Sequence, residues 1–95
     1  MFEKDLLKNK TVIVTGGGTG LGKSMAKQFG LLGAKLSICG RRKEVIDAAV
    51  QELKETEAEV LGVQCDVRSG EDVQRMFNET VSTLGPVNVL LNNAA

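Results

Sequence analysis

The segment TGGGTGLG at residues 15–22 stands between an apolar run and a stretch of helical periodicity, and it restricts the fold more than any other feature of the sequence. The run before it, residues 11–15, is made of β-branched residues, which is typical of a strand buried on both faces of a parallel sheet. Glycines let the backbone turn sharply and approach an anion, and the N-terminus of a following helix offers free N–H groups. The segment therefore predicts a phosphate-binding loop between a first strand and a first helix.

Further apolar runs alternate with helical segments along the rest of the chain. The predicted strands and helices after the first helix occupy, in order, residues 36–39, 44–55, 60–65, 69–84 and 87–92. The positions expected to form the apolar faces of the three helices are Leu21, Met25, Phe29 and Leu32, then Val45, Ile46, Ala49 and Leu53, then Val73, Phe77, Val81 and Leu84. The order β-α-β-α-β-α-β predicts an α/β fold, a Rossmann-type doubly wound parallel sheet with helices on both of its faces.

A chain of 95 residues has room for one domain only. A complete doubly wound dinucleotide-binding fold usually has six strands in the order 3-2-1-4-5-6, and four are predicted here. The fourth strand, with Val89, Leu90 and Leu91, would then be an apolar open edge. We therefore expect residues 1–95 to be the N-terminal part of a single dinucleotide-binding domain, with the remainder following Ala95.

Composition argues against several other classes of protein. Twelve basic and twelve acidic residues give a net charge of zero, so no overall field attracts nucleic acid or a membrane surface. No apolar run is long enough to span a bilayer, and the charged N-terminus does not resemble a signal peptide, which predicts a cytoplasmic protein. Cys39 and Cys65 are expected to be buried free thiols rather than metal ligands. The absence of His, Tyr and Trp removes most of the usual acid–base groups, so no catalytic residue is predicted in this chain.

The glycine-rich segment also satisfies a second motif. Residues 17–24 fit the Walker A pattern G-x-x-x-x-G-K-[ST], in which Lys23 would reach the β- and γ-phosphates and Ser24 would bind Mg²⁺. A P-loop NTPase also needs an apolar strand that ends in an acidic Mg²⁺ ligand. The strongest apolar strand ends instead in Asn92 and Asn93, which favours the dinucleotide-binding interpretation.

The end of the second predicted strand carries the sequence Gly-Arg-Arg-Lys at residues 40–43. An NAD-binding site has a carboxylate near this position for the ribose 2′-hydroxyl. A guanidinium at the same place would match a 2′-phosphate in charge and in bidentate geometry. Three cations at a helix N-terminus would also repel one another and the helix dipole, and a bound anion would relieve that repulsion. Arg41 first and Arg42 second are therefore predicted to bind the 2′-phosphate of NADP(H), in preference to NAD(H).

Polar residues follow the third and fourth predicted strands at the edge where such a sheet binds its ligand. Asp66 could accept a hydrogen bond from an adenine amino group, or cap the turn into the helix near Ser69. The amides of Asn92 and Asn93 could join neighbouring strands, a structural role.

Four segments together resemble the short-chain dehydrogenase/reductase family: the TGGGTGLG loop, the arginine pair, Cys-Asp-Val at residues 65–67, and Asn-Asn-Ala-Ala at residues 92–95. The family's usual Asn-Asn-Ala-Gly ends in Ala95 here. Together with Asp-Val-Arg at residues 66–68, this ending resembles the branch of 2,4-dienoyl-CoA and trans-2-enoyl-CoA reductases.

The resemblance implies a set of cofactor-binding residues: Gly16, Gly18, Thr19, Gly20, Leu21 and Gly22 at the pyrophosphate, Arg41 and Arg42 at the 2′-phosphate, Asp66 and Val67 at the adenine, and Asn93, Ala94 and Ala95 near the ribose and the approach to the nicotinamide. It implies hydride transfer between NADP(H) and a carbonyl, an alcohol or an enoyl thioester, a small-molecule substrate that could be an acyl-CoA, and a homo-oligomeric protein at full length. The family's catalytic Ser and Tyr-x-x-x-Lys would lie further along. A non-catalytic nucleotide-binding module remains the alternative that the residues alone leave open.

Overall fold

The computed structural model describes residues 5–93, and its core is a parallel sheet of four strands. The strands are β1 (Thr11–Thr15), β2 (Lys35–Gly40), β3 (Val60–Gln64) and β4 (Val89–Asn92). They are hydrogen-bonded in the order β3-β2-β1-β4. The predicted α/β class, the parallel sheet and the strand order are thus confirmed.

Three α-helices connect these strands: α1 (Gly20–Leu31), α2 (Lys43–Leu53) and α3 (Gly70–Leu84), and a 3₁₀ turn at Lys54–Thr56 follows α2. Alternate residues of β1 point to opposite faces of the sheet, as its pleat requires. Val12 and Val14 belong to the cluster that α1 and α2 cover, whereas Ile13 belongs to the cluster under Met76 of α3. Helices therefore cover both faces, and every residue of β1 is buried.

The face that α1 buries differs from the predicted one. Its buried residues are Gly22, Ala26 and Gly30, while Leu21 is 67% exposed. The helix lies so close to its neighbours that a Cβ at position 30 would come within 2.7 Å of the Thr56 hydroxyl oxygen. Small residues form this contact because large ones have no space there. Of the predicted positions, Phe29 packs half-buried against the same core cluster, so the spacing of large apolar residues located only part of the buried face.

Helix α3 shows a similar correction. Of its predicted positions, Leu84 is buried and Val73 and Phe77 pack against the core, but Val81 is exposed. Met76 and Thr80 are buried as well, although they were not predicted. Thr80 is fully buried, and its hydroxyl has hydrogen-bond partners there. It lies 2.7 Å from the hydroxyl of Ser37 and donates to the Met76 carbonyl over 2.8 Å. A hydrogen-bonded hydroxyl can be buried at little cost, and a pattern based on apolar residues does not detect it. Helix α2 is as predicted, with Ile46, Ala49 and Leu53 buried.

Candidate functional site

The glycine-rich loop lies where β1 passes into α1, at the carboxyl edge of the sheet. Gly16 has a φ of 68°, a left-handed conformation that favours glycine, and its N–H donates to the Cys39 carbonyl over 2.9 Å. The chain then enters α1, whose first backbone hydrogen bond runs from Lys23 to Thr19 over 3.3 Å. Backbone N–H groups of the first turn precede that bond, so the N-terminus of α1 can receive an anion.

A cleft of about 400 Å³ opens beside this loop, at the carboxyl ends of β1, β2 and β3. Its volume falls within the roughly 300–1,000 Å³ that small-molecule and cofactor sites occupy. The residues that line it are Gly16, Gly18, Thr19, Cys39, Gly40, Arg41, Arg42, Val45, Ile46, Cys65, Asp66, Val67 and Arg68. In an open α/β sheet, ligands bind at this edge.

The structure brings seven of the predicted binding residues together in the cleft, namely Gly16, Gly18, Thr19, Arg41, Arg42, Asp66 and Val67. Gly20, Leu21, Gly22 and Asn93 do not line it. Ala94 and Ala95 lie outside the described residues. The residues that line the cleft thus cover the ends of three strands, while the predicted nicotinamide end of the site, after β4, is described only as far as Asn93.

Asn93 nevertheless lies beside the glycine loop. Its backbone N–H donates to the Thr15 hydroxyl over 2.9 Å, and its Nδ2 atom would be 2.7 Å from a Cβ at position 22. The same hypothetical Cβ would overlap the carbonyl oxygen of Gly16. Glycine at position 22 therefore lets the first turn of α1 contact both the loop and the end of β4.

The three cations after β2 differ in their partners. Arg42 Nε donates to Glu44 Oε1 over 3.2 Å, and Lys43 Nζ donates to Asp47 Oδ2 over 2.7 Å. The hydrogen bonds that Glu44 accepts, from its own backbone N–H and from Arg42, hold the pKa of its carboxyl below the usual value. Arg41 makes no ion pair within residues 5–93. Two of the three cations expected to repel one another are thus each paired with a carboxylate of α2, Glu44 or Asp47.

Asp66 is held by a single arginine. Its Oδ1 accepts from Arg68 Nε and from the Arg68 backbone N–H, and its Oδ2 accepts from Arg68 Nη2, over 2.9–3.0 Å. These bonds from Arg68, with a smaller effect of the Arg41 charge, lower the pKa of Asp66 to about 2. The carboxyl is thus an ionised acceptor at neutral pH, and the turn role considered for it is observed together with its place in the cleft. The N-cap of α3 is Ser69, whose side chain accepts from the Asp72 N–H over 3.3 Å.

Both cysteines are buried free thiols, as predicted, and both also line the cleft. Burial, with a contribution from the neighbouring Cys65, raises the pKa of the Cys39 thiol to about 12. Burial also raises the pKa of Cys65. Both groups are therefore neutral at physiological pH and act as small apolar side chains at the base of the cleft.

Sequence reasoning missed several lining residues: Cys39, Gly40, Val45, Ile46, Cys65 and Arg68. For most of these a signal was present, because the last residues of β2 and β3 must border a ligand at the carboxyl edge. Val45 and Ile46 were assigned to the helix face alone, yet a Cβ at Gly18 would come within 2.9 Å of Val45 and 3.1 Å of Ile46. The first turn of α2 therefore packs against the glycine loop as well as against the sheet.

The arrangement does not favour the Walker A interpretation. Lys23 Nζ pairs with Glu52 Oε2 of α2 over 2.8 Å, and neither Lys23 nor Ser24 lines the cleft.

Within residues 5–93 no cluster of three or more His, Cys, Asp or Glu side chains could hold a metal ion. No helix in that part of the chain has the length and apolar character needed to cross a membrane.

The strand order, the glycine loop between β1 and α1, and the cleft at the carboxyl ends of β1, β2 and β3 are those of a Rossmann-type fold. The family model for short chain dehydrogenases matches residues 10–95, and the chain belongs to this family.

Curated relatives agree with this assignment. The chain is 38% identical over 94 residues to a peroxisomal 2,4-dienoyl-CoA reductase from Arabidopsis thaliana, and the match covers 99% of this chain and 32% of the relative. It is also 38% identical over 89 residues to a probable 2,4-dienoyl-CoA reductase from Bacillus subtilis, across 94% of this chain and 35% of that protein. The predicted resemblance to the dienoyl-CoA reductase branch is confirmed, and the chain spans about a third of the length of these relatives.

A solved structure extends the comparison to three dimensions. The L-sorbose reductase from Gluconobacter frateurii, in complex with NADPH and L-sorbose, superimposes with a TM-score of 0.91 at 29% sequence identity. The match covers 97% of this chain and 35% of that enzyme. This chain therefore shares its fold with a reductase of known structure.

Proposed function

We propose that this chain forms the NADP(H)-binding part of a short-chain reductase and prefers NADP(H) to NAD(H). The observation that carries the proposal is the end of β2, where Arg41 and Arg42 line the cleft at the position where an NAD-binding site has a carboxylate. Arg41 is the stronger candidate for the 2′-phosphate because its guanidinium has no ion pair within residues 5–93, whereas that of Arg42 contacts Glu44.

The residues present fit such a cofactor. Gly16 has the left-handed conformation of a tight turn, and Gly18 is so close to α2 that a side chain there would collide with Val45. The loop thus leaves backbone N–H groups and the N-terminus of α1 for a pyrophosphate. Asp66, ionised and among the residues that line the cleft, is proposed to accept from the adenine amino group beside Val67. The proposed binding set is completed by Gly20, Leu21, Gly22, Asn93, Ala94 and Ala95.

Comparison supports the same cofactor, since the L-sorbose reductase was solved with NADPH. The nicotinamide supplies or accepts the hydride in such a reaction. This chain contributes the binding of the adenosine half and of the phosphates. An enoyl thioester is the proposed substrate class, because both curated relatives described above are named 2,4-dienoyl-CoA reductases. A homo-oligomeric state and a cytoplasmic location stay predictions, and the relative from Arabidopsis thaliana is named as peroxisomal.

Titration of the protein with NADPH and with NADH, followed by calorimetry, tests the cofactor assignment. Replacement of both arginines (Arg41→Ala with Arg42→Ala) should weaken NADPH binding by about tenfold to a hundredfold, the loss expected when one hydrogen bond to a charged group, about 1.5–3 kcal/mol, is removed. NADH binding should change little. The matched control, Lys8→Ala with Lys54→Ala, removes two exposed cations that do not line the cleft and should leave the ratio of the two dissociation constants unchanged. Equal losses for NADPH and NADH in the arginine variant would contradict the assignment.

The chain contains no tyrosine and no histidine. We therefore expect the 95-residue chain to bind NADPH weakly and to reduce no dienoyl-CoA. Absorbance at the nicotinamide band in the presence of a 2,4-dienoyl-CoA measures this directly. Turnover by the 95-residue chain would refute the proposal that this chain contributes cofactor binding and no catalytic residue.

A further inference from the structure

We infer that Gln64 and Arg75, which lie outside the cofactor cleft, are positioning residues for Arg41 and thereby set the preference for a 2′-phosphate. The inference rests on the proposed function, because it concerns the same phosphate site. It assigns a role to two residues that neither the motifs nor the cleft itself indicates. Gln64 is the last residue of β3, and Arg75 lies in the second turn of α3.

Gln64 holds the backbone of the turn that carries Arg41. Its Nε2 atom donates to the Arg41 carbonyl over 3.1 Å. That carbonyl lies between two regular elements. The carbonyl of Gly40 accepts from the Cys65 N–H over 2.8 Å, and the carbonyl of Arg42 accepts from the N–H groups of Val45 and Ile46 in the first turn of α2. The side chain of Gln64 thus extends the pairing of β3 with β2 by one residue, to the peptide group of Arg41.

Arg75 in turn holds Gln64. Its Nη2 atom donates to the Gln64 carbonyl over 2.6 Å, and the same nitrogen lies 3.7 Å from Asp72 Oδ1. The other carboxylate oxygen of Asp72 accepts from the backbone N–H of Asp66 over 2.9 Å. Arg75 and Asp72 of α3 therefore support two turns. Arg75 acts through Gln64 on the turn after β2, and Asp72 bonds directly to the turn after β3.

The backbone position matters more for Arg41 than for its neighbour. The guanidinium of Arg41 makes no ion pair within residues 5–93, so the described hydrogen bonds of this residue are those of its main chain. Arg42 is fixed independently, as the N-cap residue of α2 and by its bond to Glu44. A bidentate contact with a phosphate requires the guanidinium to be placed within about 0.5 Å, which depends on rigid support behind it. Loss of the Gln64 bond should therefore affect the 2′-phosphate through Arg41 and leave the rest of the site in place.

The test compares two probes that differ by one phosphate, adenosine 2′,5′-bisphosphate and adenosine 5′-monophosphate, with dissociation constants from calorimetry. Gln64→Met keeps the length of the side chain and removes its donor. We expect this variant to bind the bisphosphate about three- to tenfold more weakly, the loss typical of one neutral hydrogen bond, with binding of the monophosphate unchanged. The matched control is Gln74→Met on α3, whose side chain bonds only to Asn78 of the same helix among the described contacts and should change neither constant.

A double variant separates positioning from a general loss of structure. In an Arg41→Ala background, Gln64→Met should cause no further loss of bisphosphate binding, because its effect passes through the missing guanidinium. Additive losses would overturn the inference, and so would equal weakening of both probes by Gln64→Met alone. If that variant does not fold, Arg75→Gln provides the second route, since it removes the brace on the Gln64 carbonyl and should produce the same selective loss.

The outcomes also separate this inference from the proposed function. A wild-type protein that binds the two probes equally well would refute the proposed preference for NADP(H). A wild-type preference for the bisphosphate that Gln64→Met leaves undiminished would refute only the positioning role of Gln64.

Discussion

The hydroxyl of Thr15, the last residue of β1, donates to Oδ1 of Asn92, the last residue of β4, over 2.8 Å. The same hydroxyl oxygen accepts from the Asn93 backbone N–H over 2.9 Å. These two bonds join the carboxyl ends of neighbouring parallel strands at Thr15, the first residue of the glycine-rich segment. The bonds thereby fix the start of the glycine loop relative to the end of β4, at the carboxyl edge of the sheet, where the cleft lies.

Replacement of this hydroxyl should destabilise the protein. Thr15→Val keeps the shape and β-branching of the side chain but leaves Asn92 Oδ1 and the Asn93 N–H without this partner. We expect the free energy of unfolding to fall by about 1–3 kcal/mol, the net contribution of two hydrogen bonds of roughly 0.5–1.5 kcal/mol each. Urea denaturation followed by circular dichroism measures the change. Thr83→Val, at an exposed position of α3, is the matched control and should alter the free energy by no more than about 0.5 kcal/mol. Similar values for the two variants would contradict the role of Thr15.

Gly22 should tolerate no side chain. An alanine Cβ there would overlap the Gly16 carbonyl oxygen and crowd Nδ2 of Asn93, so the glycine loop or α1 would have to move. We expect Gly22→Ala to lower the free energy of unfolding by about 1–3 kcal/mol, as overpacking does, and to weaken NADPH binding.

Gly70→Ala is the control for that substitution. Gly70 begins α3, and a Cβ at this position would meet no atom within 4 Å. The variant should be as stable as the wild type or more stable by up to about 1 kcal/mol, because alanine restricts the unfolded chain. Urea titrations of both variants test this difference. Equal destabilisation by the two substitutions would show that the close approach of Gly22 to Gly16 and Asn93 does not account for the loss of stability.

Lys23 distinguishes the two readings of the glycine motif. In the structure its ammonium pairs with Glu52 across α1 and α2, with both side chains partly exposed. Lys23→Ala should therefore leave NADPH binding within about twofold of the wild type and cost no more than about 1 kcal/mol of stability, as expected for a surface ion pair. Titration with ATP and Mg²⁺ completes the experiment. Mg²⁺-dependent binding of ATP that disappears in Lys23→Ala would instead support a P-loop.

The architecture could be predicted from sequence because its signals are local and periodic. The β-branched run of β1 and the glycines after it indicate a buried strand and a tight turn without reference to any other element. The packing of α1 could not be predicted in this way, since the burial of Gly22, Ala26 and Gly30 depends on how closely the helix approaches its neighbours. Spacing alone pointed to Leu21, which is exposed.

In the candidate site, too, the positions of residues could be predicted from sequence, but their side-chain partners could not. The order of elements placed Gly16, Arg41 and Asp66 at one edge of the sheet, because parallel strands all end there. The partners of these residues depend on side-chain geometry instead. The bidentate hold of Arg68 on Asp66 and the bond from Gln64 to the Arg41 carbonyl join residues whose pairing no motif specifies.

The two thiols beneath the cleft should make stability depend on alkaline pH. Burial, with a contribution from Cys65, raises the pKa of Cys39 from 9.0 to about 12 in the folded protein, while the unfolded thiol ionises near its ordinary value. The folded state therefore binds this proton more tightly than the unfolded state. The contribution to stability is complete below pH 9 and is lost progressively as the pH rises from 9 towards 12.

Urea midpoints measured between pH 7 and pH 10.5, under reducing conditions, test this dependence. Cys39→Ala should lower the midpoint at pH 7, because it leaves a cavity, and should make the decline above pH 9 shallower than in the wild type. Cys65→Ala should also make this decline shallower, because burial raises the pKa of that thiol as well. Both thiols should also resist iodoacetamide in the folded protein at pH 8 and react once it is unfolded, since the thiolate is the reactive form. Wild-type and Cys39→Ala curves that remain parallel up to pH 10.5 would show that the Cys39 thiol ionises equally easily in both states.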